Sequence, residues 1–226
     1  MLNDKTFLAI IPARGGSKRL PCKNKLMLKD KPLIAWSIEA SKNSKYIDKT
    51  IVSSDDTEIL DIAKEYEADT ILRPDELATD TASTFDTLAH VIQNTTQSYD
   101  YIVLLQPTSP LRDASDIDKA IEMLEQKCAD AIISVCEVEH SPLWSNVLPN
   151  DMSMQNFLRD EVINKRGQDL EKYYRLNGAI YVVKIDKLLE TKSAFLKKNI
   201  FAYEMTQEKS IDIDTEFDFK IASMLL

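Results

Sequence analysis

The sequence predicts an α/β fold with a doubly wound, mostly parallel sheet, and three observations carry that expectation. Short β-branched runs alternate with amphipathic stretches from residue 7 onward. Runs such as Ile102-Val103-Leu104-Leu105 are apolar throughout instead of alternating, as strands covered on both faces must be. Alternation at this spacing makes βαβ units, whose right-handed crossovers lay helices on both faces of a parallel sheet. The 226 residues allow one ample domain and a small appendage.

The first strand is expected at Phe7–Ile11, stopped by Pro12. A helix over Pro32–Lys42 follows, with proline in its first turn, where its missing N–H costs nothing. Next come strand Lys49–Ser53, helix Thr57–Tyr66, strand Thr70–Arg73 and helix Thr84–Asn94. Strand Tyr101–Leu105, helix Ala114–Gln126 and strand Ala131–Val135 continue the rhythm. It breaks between Glu137 and Tyr174, where Pro142, Trp144, Met152, Met154 and Phe157 stand among polar residues. Exposed aromatics and methionines in such an insertion suit a dimerisation flap; a long loop folded onto its own domain is the alternative. The α/β phrase then returns with strand Ala179–Lys184, helix Ile185–Glu190, strand Phe201–Glu204 and helix Glu216–Leu226. The expected division is residues 1–136 with 175–226 as the α/β domain, and 137–174 as the inserted flap.

Charge and composition exclude several classes. Lys and Arg number 28 against 37 Asp and Glu, a net of −9, with pI near 4.9. Such a field repels nucleic acid and anionic lipid, so neither is an expected partner. Only 4 Gly and 8 Pro, with 44% hydrophobic residues, rule out collagen-like and disordered chains. No apolar run approaches the roughly 18 residues that cross a membrane, and Met1–Ile11 lacks the signal-peptide pattern. Cys22, Cys128 and Cys136 form no CxxC pair, which suits free thiols in a reducing compartment. His90 and His140 show no zinc spacing; His90 reads as a packing or surface residue. The expectation is a cytoplasmic protein.

The chemistry starts directly after the first strand. Gly15 and Gly16 are adjacent there, within Pro12-Ala13-Arg14-Gly15-Gly16-Ser17-Lys18-Arg19-Leu20-Pro21-Cys22-Lys23-Asn24-Lys25. From Arg14 to Lys31 there are seven basic residues and one acid, a local balance of +6 in a chain of −9. Open α/β sheets bind ligands outside the carboxyl ends of their strands. Glycine lets backbone N–H groups approach an anion, and the cations can neutralise a polyphosphate. The stretch matches neither GxxxxGK[ST] nor GxGxxG, so a phosphate loop and a solvated basic turn both remain open on spacing alone.

The second candidate is Ser210-Ile211-Asp212-Ile213-Asp214. Alternation in an extended segment puts both carboxylates on one face, with the Cα atoms about 6.6 Å apart at about 3.3 Å per residue. Beside a triphosphate they would repel it unless a cation intervened, and Mg²⁺ commonly combines one or two carboxylates with substrate phosphates. Alternatively Ser210, Asp212 or Asp214 caps the last helix.

Five blocks in order resemble the sugar-activating cytidylyltransferases of the CMP-sialic acid synthetase (acylneuraminate cytidylyltransferase) family. They are Ile11–Pro21, Leu72-Arg73-Pro74-Asp75-Glu76-Leu77-Ala78-Thr79-Asp80-Thr81-Ala82-Ser83, Leu105-Gln106-Pro107-Thr108-Ser109-Pro110-Leu111-Arg112, Tyr174-Arg175-Leu176-Asn177-Gly178-Ala179-Ile180-Tyr181 and Ser210–Glu216. The resemblance spans nearly the whole chain and implies a Rossmann-like nucleotidyltransferase fold. It also implies the reaction of CTP with a nonulosonic acid to give the CMP-sugar and pyrophosphate, with Mg²⁺ on Asp212 and Asp214, in a homodimer. Nucleotide contacts are then expected from Arg14, Gly15, Gly16, Ser17, Lys18, Lys23 and Asn24, with Lys23 also catalytic beside the two aspartates. The base pocket falls on Arg73, Ala82, Ser83 and Thr84, where Ser83 can also cap the following helix.

Sugar contacts are implied for Gln106, Arg175, Asn177, Tyr181 and Phe195, the last supporting an acyl pocket. Many relatives carry Arg directly before Gln in the segment preceding Lys172; here Gly167 precedes Gln168 and Arg166 lies one step back. Either Arg166 serves the sugar carboxylate through a one-residue slip, or the carboxylate is held differently. Trp144 stands where some relatives have a basic residue, so it either alters the sugar pocket or packs in the flap. N-acetylneuraminate is the expected substrate; legionaminic or another bacterial nonulosonic acid is the close alternative. The synthetase for 3-deoxy-manno-octulosonate fits the blocks worse. A non-catalytic CTP-binding module would need neither the aspartate pair nor a metal.

Overall fold

A computed structural model of the chain describes residues 2–79 and 81–226; Met1, and Asp80 within the Leu72–Ser83 block, lie outside the described residues. In chain order the elements are β1 (Phe7–Pro12), β2 (Met27–Leu28), β3 (Lys31–Pro32), α1 (Leu33–Lys42), β4 (Lys49–Ser54), α2 (Thr57–Glu65) and β5 (Asp69–Leu72). They continue with α3 (Thr84–Asn94), β6 (Tyr101–Leu104), α4 (Ala114–Gln126), β7 (Ala131–Glu137), β8 (Tyr174–Lys184), α5 (Ile185–Thr191), β9 (Ile200–Glu204) and α6 (Glu216–Leu225).

Seven strands form one sheet in the order β5-β4-β1-β6-β8-β7-β9. The pairs β5/β4, β4/β1, β1/β6 and β7/β9 are parallel, while β8 runs antiparallel to both β6 and β7. Phe7 to Ile11 are fully buried, as the unbroken apolar run requires of a strand covered on both faces. One face packs against α1, α2 and α4 through Ile34, Ile38, Ile59, Ile117 and Ile121. The other packs against α3 and α5 through Leu88, Val91 and Leu188. The fold is the doubly wound α/β sandwich that the sequence predicts.

The helix ends follow local chemistry. Asp56 caps α2, Ser83 caps α3 and Asp113 caps α4, each accepting backbone N–H groups of the first turn. Thr215 forms a capping box with Asp218 at α6, so the cap falls to none of Ser210, Asp212 and Asp214.

Two departures from the sequence reading matter. The strand expected at Ala179–Lys184 starts at Tyr174, five residues earlier. Its pairing with β7 jumps from Ile133↔Tyr181 to Val135↔Leu176, so β8 carries three extra residues in a bulge. A two-residue hairpin, β2–β3, also follows the basic loop and was not expected from the sequence. Between β7 and β8, residues 138–173 contain two short 3-10 turns, Pro142–Trp144 and Gly167–Asp169. Val147, Met152, Met154 and Ile163 are exposed there.

Candidate active site

Strand β1 leads to β4 and β5 on one side of the sheet, and the chain then crosses to β6 on the other. The carboxyl ends of β1 and β6 therefore flank a topological switch point, where two loops diverge and leave a crevice. A cleft of about 620 Å³ lies there. The loop after β1 supplies Arg14, Ser17, Lys18, Arg19, Lys23 and Asn24; the loop after β6 supplies Gln106, Pro107 and Thr108. Arg73, at the end of β5, and Thr79, Ala82, Ser83, Thr84 and Thr87, at the start of α3, form another wall. Asp212 and Asp214 complete it.

Within the basic loop, Asn24 is buried in the 3-10 turn Lys23–Lys25, and its Nδ2 donates to the Arg14 carbonyl at 3.1 Å. The Asn24 Oδ1 is buried without a partner. Neither glycine lines the cleft as expected. The Gly15 N–H is donated to Asp55 Oδ1 at 3.0 Å, so it does not face the crevice. A Cβ on Gly15 would stand 2.9 Å from that of Asp56, so the residue permits close loop packing; Gly16 faces open space. Side-chain cations, more than a nest of N–H groups, are what this loop presents to the cleft.

Arg73 is 6% exposed, and its Nε and Nη2 donate to the Ser53 hydroxyl at 3.2 Å and carbonyl at 2.6 Å. Burial pulls its pKa down and neighbouring Arg14 adds to this, with Asp55 opposing. The side chain is thus fixed at the cleft floor. Ser83 accepts the Asp86 N–H at 3.1 Å and still faces the cleft, so capping and lining coexist.

The aspartate segment behaves as alternation requires. Ile213 is fully buried against Leu28, Leu33 and Ala222, leaving Asp212 and Asp214 toward the cleft. Burial, with the charge of Asp214, raises the Asp212 carboxyl above the usual carboxylate range. One of its oxygens, Oδ1, is buried and unpartnered. Lys23 Nζ donates to the Ile213 carbonyl and to Asp214 Oδ1 at 3.3 Å, and Arg19 Nη2 reaches the same oxygen at 2.9 Å. An acid pair with an unsatisfied inward oxygen suits a hard cation.

Of the residues implied for the sugar, only Gln106 lines the cleft. Its side chain lies against Gly178, whose φ of +73° and missing side chain leave the space that its amide occupies. Tyr181, near the cleft, feels the charge of Asp212, though burial is the larger cause of its raised pKa. Arg175 donates to Glu139 at 3.1 Å and to the Ser210 carbonyl at 3.3 Å. Arg166 pairs with Asp169, and Phe195 is exposed beyond α5, so neither meets the cleft within one chain.

Asn177 departs from the expectation outright. It is 2% exposed inside the β8 bulge, where Ser134, Ser210 and Met205 occupy its amide. The extra residues of the bulge turn that side chain inward, leaving no free polar atom for a ligand. Trp144 and Gly167, read separately in the sequence, are neighbours: a Cβ on Gly167 would stand 3.1 Å from the indole. Glycine at 167 therefore makes room for the ring within residues 138–173.

Cleft residues not among the expected site residues are Pro12, Arg19, Leu20, Leu77, Thr79, Thr87, Pro107 and Thr108. Arg19 sits in the +6 run and Thr108 in the Leu105–Arg112 block, so each had a signal; Thr87, one helical turn past the Ser83 cap, had none.

Comparison with known proteins follows the same lines. The family profile described as Cytidylyltransferase matches residues 8–225. The N-acylneuraminate cytidylyltransferase of Escherichia coli O18:K1:H7 is 40% identical over 218 residues, 96% of this chain and 51% of that protein. The chain thus spans about half the length of that curated relative. The CMP-N,N'-diacetyllegionaminic acid synthase of Legionella pneumophila is 35% identical over 230 residues, covering 97% of this chain and 96% of that one. Among solved structures, a CMP:2-keto-3-deoxy-manno-octonic acid synthetase complexed with CTP superposes with TM-score 0.74 over 98% of both chains at 18% identity, a likeness of fold. With a profile covering nearly every residue and full-span relatives above 30% identity, the chain belongs to the cytidylyltransferase family.

Proposed function

We propose that the chain transfers the cytidylyl group of CTP to a nonulosonic acid, N-acetylneuraminate, releasing pyrophosphate. One observation carries this reading: cations, hydroxyls, a fixed arginine and an acid pair converge on a single cleft at the switch point. In-line attack of an anomeric hydroxyl on the α-phosphorus needs little covalent help, so positioning and charge neutralisation dominate. Arg14, Ser17 and Lys18 take the triphosphate, Lys23 neutralises charge beside the α-phosphate, and Asn24 holds the loop. Arg73, Ala82, Ser83 and Thr84 present donors and acceptors to the cytosine edge.

Asp212 and Asp214 are the residues that would hold Mg²⁺. The buried, unpartnered Asp212 Oδ1 supports this, and two carboxylates suffice for an ion that takes its other oxygens from phosphate and water. Among the described residues no three or more His, Cys, Asp or Glu side chains are arranged to hold a metal ion by themselves, so the pair would share the ion with the nucleotide's phosphates. When bound, the ion supplies charge for the leaving group and acidifies the attacking hydroxyl.

Gln106 and Tyr181 are the proposed sugar contacts nearest the cleft. Arg166, Arg175 and Phe195 would serve the carboxylate and acyl group only with a second copy or a closed flap. Residues 137–174, with their exposed apolar side chains, are accordingly proposed as the dimerisation element of a homodimer. A second reading, legionaminic acid as acceptor, is supported by the Legionella relative, whose whole length this chain matches.

A sugar-acid panel at matched concentration decides between them by kcat/KM. N-acetylneuraminate is expected to lead; equal or better turnover of a legionaminate would replace it as the substrate.

A further inference from the structure

The acid pair does not stand alone in the cleft. Asp214 Oδ1 receives Arg19 Nη2 at 2.9 Å and Lys23 Nζ at 3.3 Å. The two cations are unlike. The Lys23 side chain is 12% exposed and also bound to the Ile213 carbonyl, so it is a fixed part of the wall. The Arg19 side chain is 69% exposed and reaches Asp214 across the mouth of the cleft.

Two cations and two carboxylates cancel, so the acid pair offers a divalent ion little net attraction while Arg19 holds it. A triphosphate lying against Arg14, Ser17 and Lys18 offers Arg19 a stronger, bidentate partner than one half-buried carboxylate oxygen. We propose that Arg19 couples the two ligands: it occupies Asp214 in the empty cleft and exchanges that carboxylate for the nucleotide's phosphates, freeing the pair for the divalent cation. Nucleotide therefore raises cation affinity, and by linkage the cation raises nucleotide affinity by the same factor. Arg19 is a positioning residue in this scheme, since it acts on the cation through Asp214. Its exposure keeps the latch weak, as an ion pair of this kind shifts an equilibrium by up to about fivefold.

The inference rests on the metal reading of Asp212 and Asp214, and one titration separates the two. Mn²⁺ is titrated into wild type, Arg19→Gln and Arg19→Lys, followed by electron paramagnetic resonance, with and without α,β-methylene-CTP. Without nucleotide, Arg19→Gln is expected to bind Mn²⁺ about fivefold more tightly than wild type, and Arg19→Lys to stay near wild type. The gain in Mn²⁺ affinity on adding the analogue is expected to shrink in Arg19→Gln. Equal or weaker Mn²⁺ binding by nucleotide-free Arg19→Gln overturns the coupling and leaves the metal pair standing. No protein-bound Mn²⁺ in wild type even with the analogue overturns the metal pair itself, and the coupling with it.

Discussion

The Asn177 amide donates to the Ser210 hydroxyl at 2.9 Å, and Ser210 in turn donates to the Thr206 carbonyl at 2.7 Å. Through this contact the bulge of β8 holds the short turn Glu208–Ser210, two residues ahead of Asp212. Asn177 also accepts from the Ser134 hydroxyl at 2.6 Å, so strands β7 and β8 share the same buried polar knot.

Replacing Asn177 by alanine is therefore expected to act on stability first. It leaves buried hydroxyls under-satisfied, at a cost of about 1–3 kcal/mol. Urea unfolding at neutral pH measures the loss. kcat should fall with it as the Asp212 segment loosens, while KM for the sugar acid stays near wild type. A raised KM at unchanged stability would return Asn177 to the sugar pocket.

Gly178 is expected to set the place of Gln106. An alanine there takes on a left-handed φ of +73°, at about 1–2 kcal/mol, and its Cβ meets Gln106 Oε1. Displacing that amide from the cleft is expected to raise KM for the sugar acid about tenfold, equivalent to one hydrogen bond of about 1.4 kcal/mol. Gln106→Ala should cost a similar factor, and the double variant little more. Additive losses would show that Gly178 acts elsewhere.

Asp56 supports the basic loop from beneath, accepting Lys25 Nζ at 2.8 Å while capping α2. Burial alone would raise its carboxyl, but the Lys25 contact and the N–H groups of Glu58 and Ile59 outweigh it and hold the pKa below the usual range. A carboxyl depressed in the folded state stabilises the fold above its unfolded value, and loses that effect as pH falls through the folded value. Asp56→Ala should cost about 1–2 kcal/mol at pH 7. The gap from wild type should narrow only below about pH 4, in a urea series run from pH 7 downward. A gap that stays constant with pH would mean that packing against Gly15, not the charge, is what Asp56 contributes.

Much of this molecule was legible in its sequence because burial and capping leave strong local signs. Helices α3 and α4 begin and end where their patterns do, since Ser83 and Asp113 mark the starts. The Ile-Asp-Ile-Asp alternation placed both carboxylates toward the cleft for the reason that it buries Ile213. The β8 bulge left no such sign. Three extra residues against β7 are a property of the pair of strands, and the fate of Asn177 follows from them. The β2–β3 hairpin was hidden for a related reason: its turn puts Lys29 at φ 60°, a position where glycine would have given the signal. Two adjacent glycines in a basic loop suggest a phosphate cradle, yet the smallness of Gly15 serves a contact with Asp56, 41 residues along the chain. Long-range contacts of this kind have no period.

The most direct test of the proposed reaction follows CTP by phosphorus NMR, with N-acetylneuraminate and Mg²⁺, in wild type and Asp212→Asn. Wild type is expected to give one pyrophosphate and one CMP-sugar for each CTP consumed, and neither when the sugar acid is omitted. Asp212→Asn should lose most of that rate. CTP that binds by calorimetry yet stays intact with every nonulosonic acid offered would contradict the reaction and leave a nucleotide-binding module.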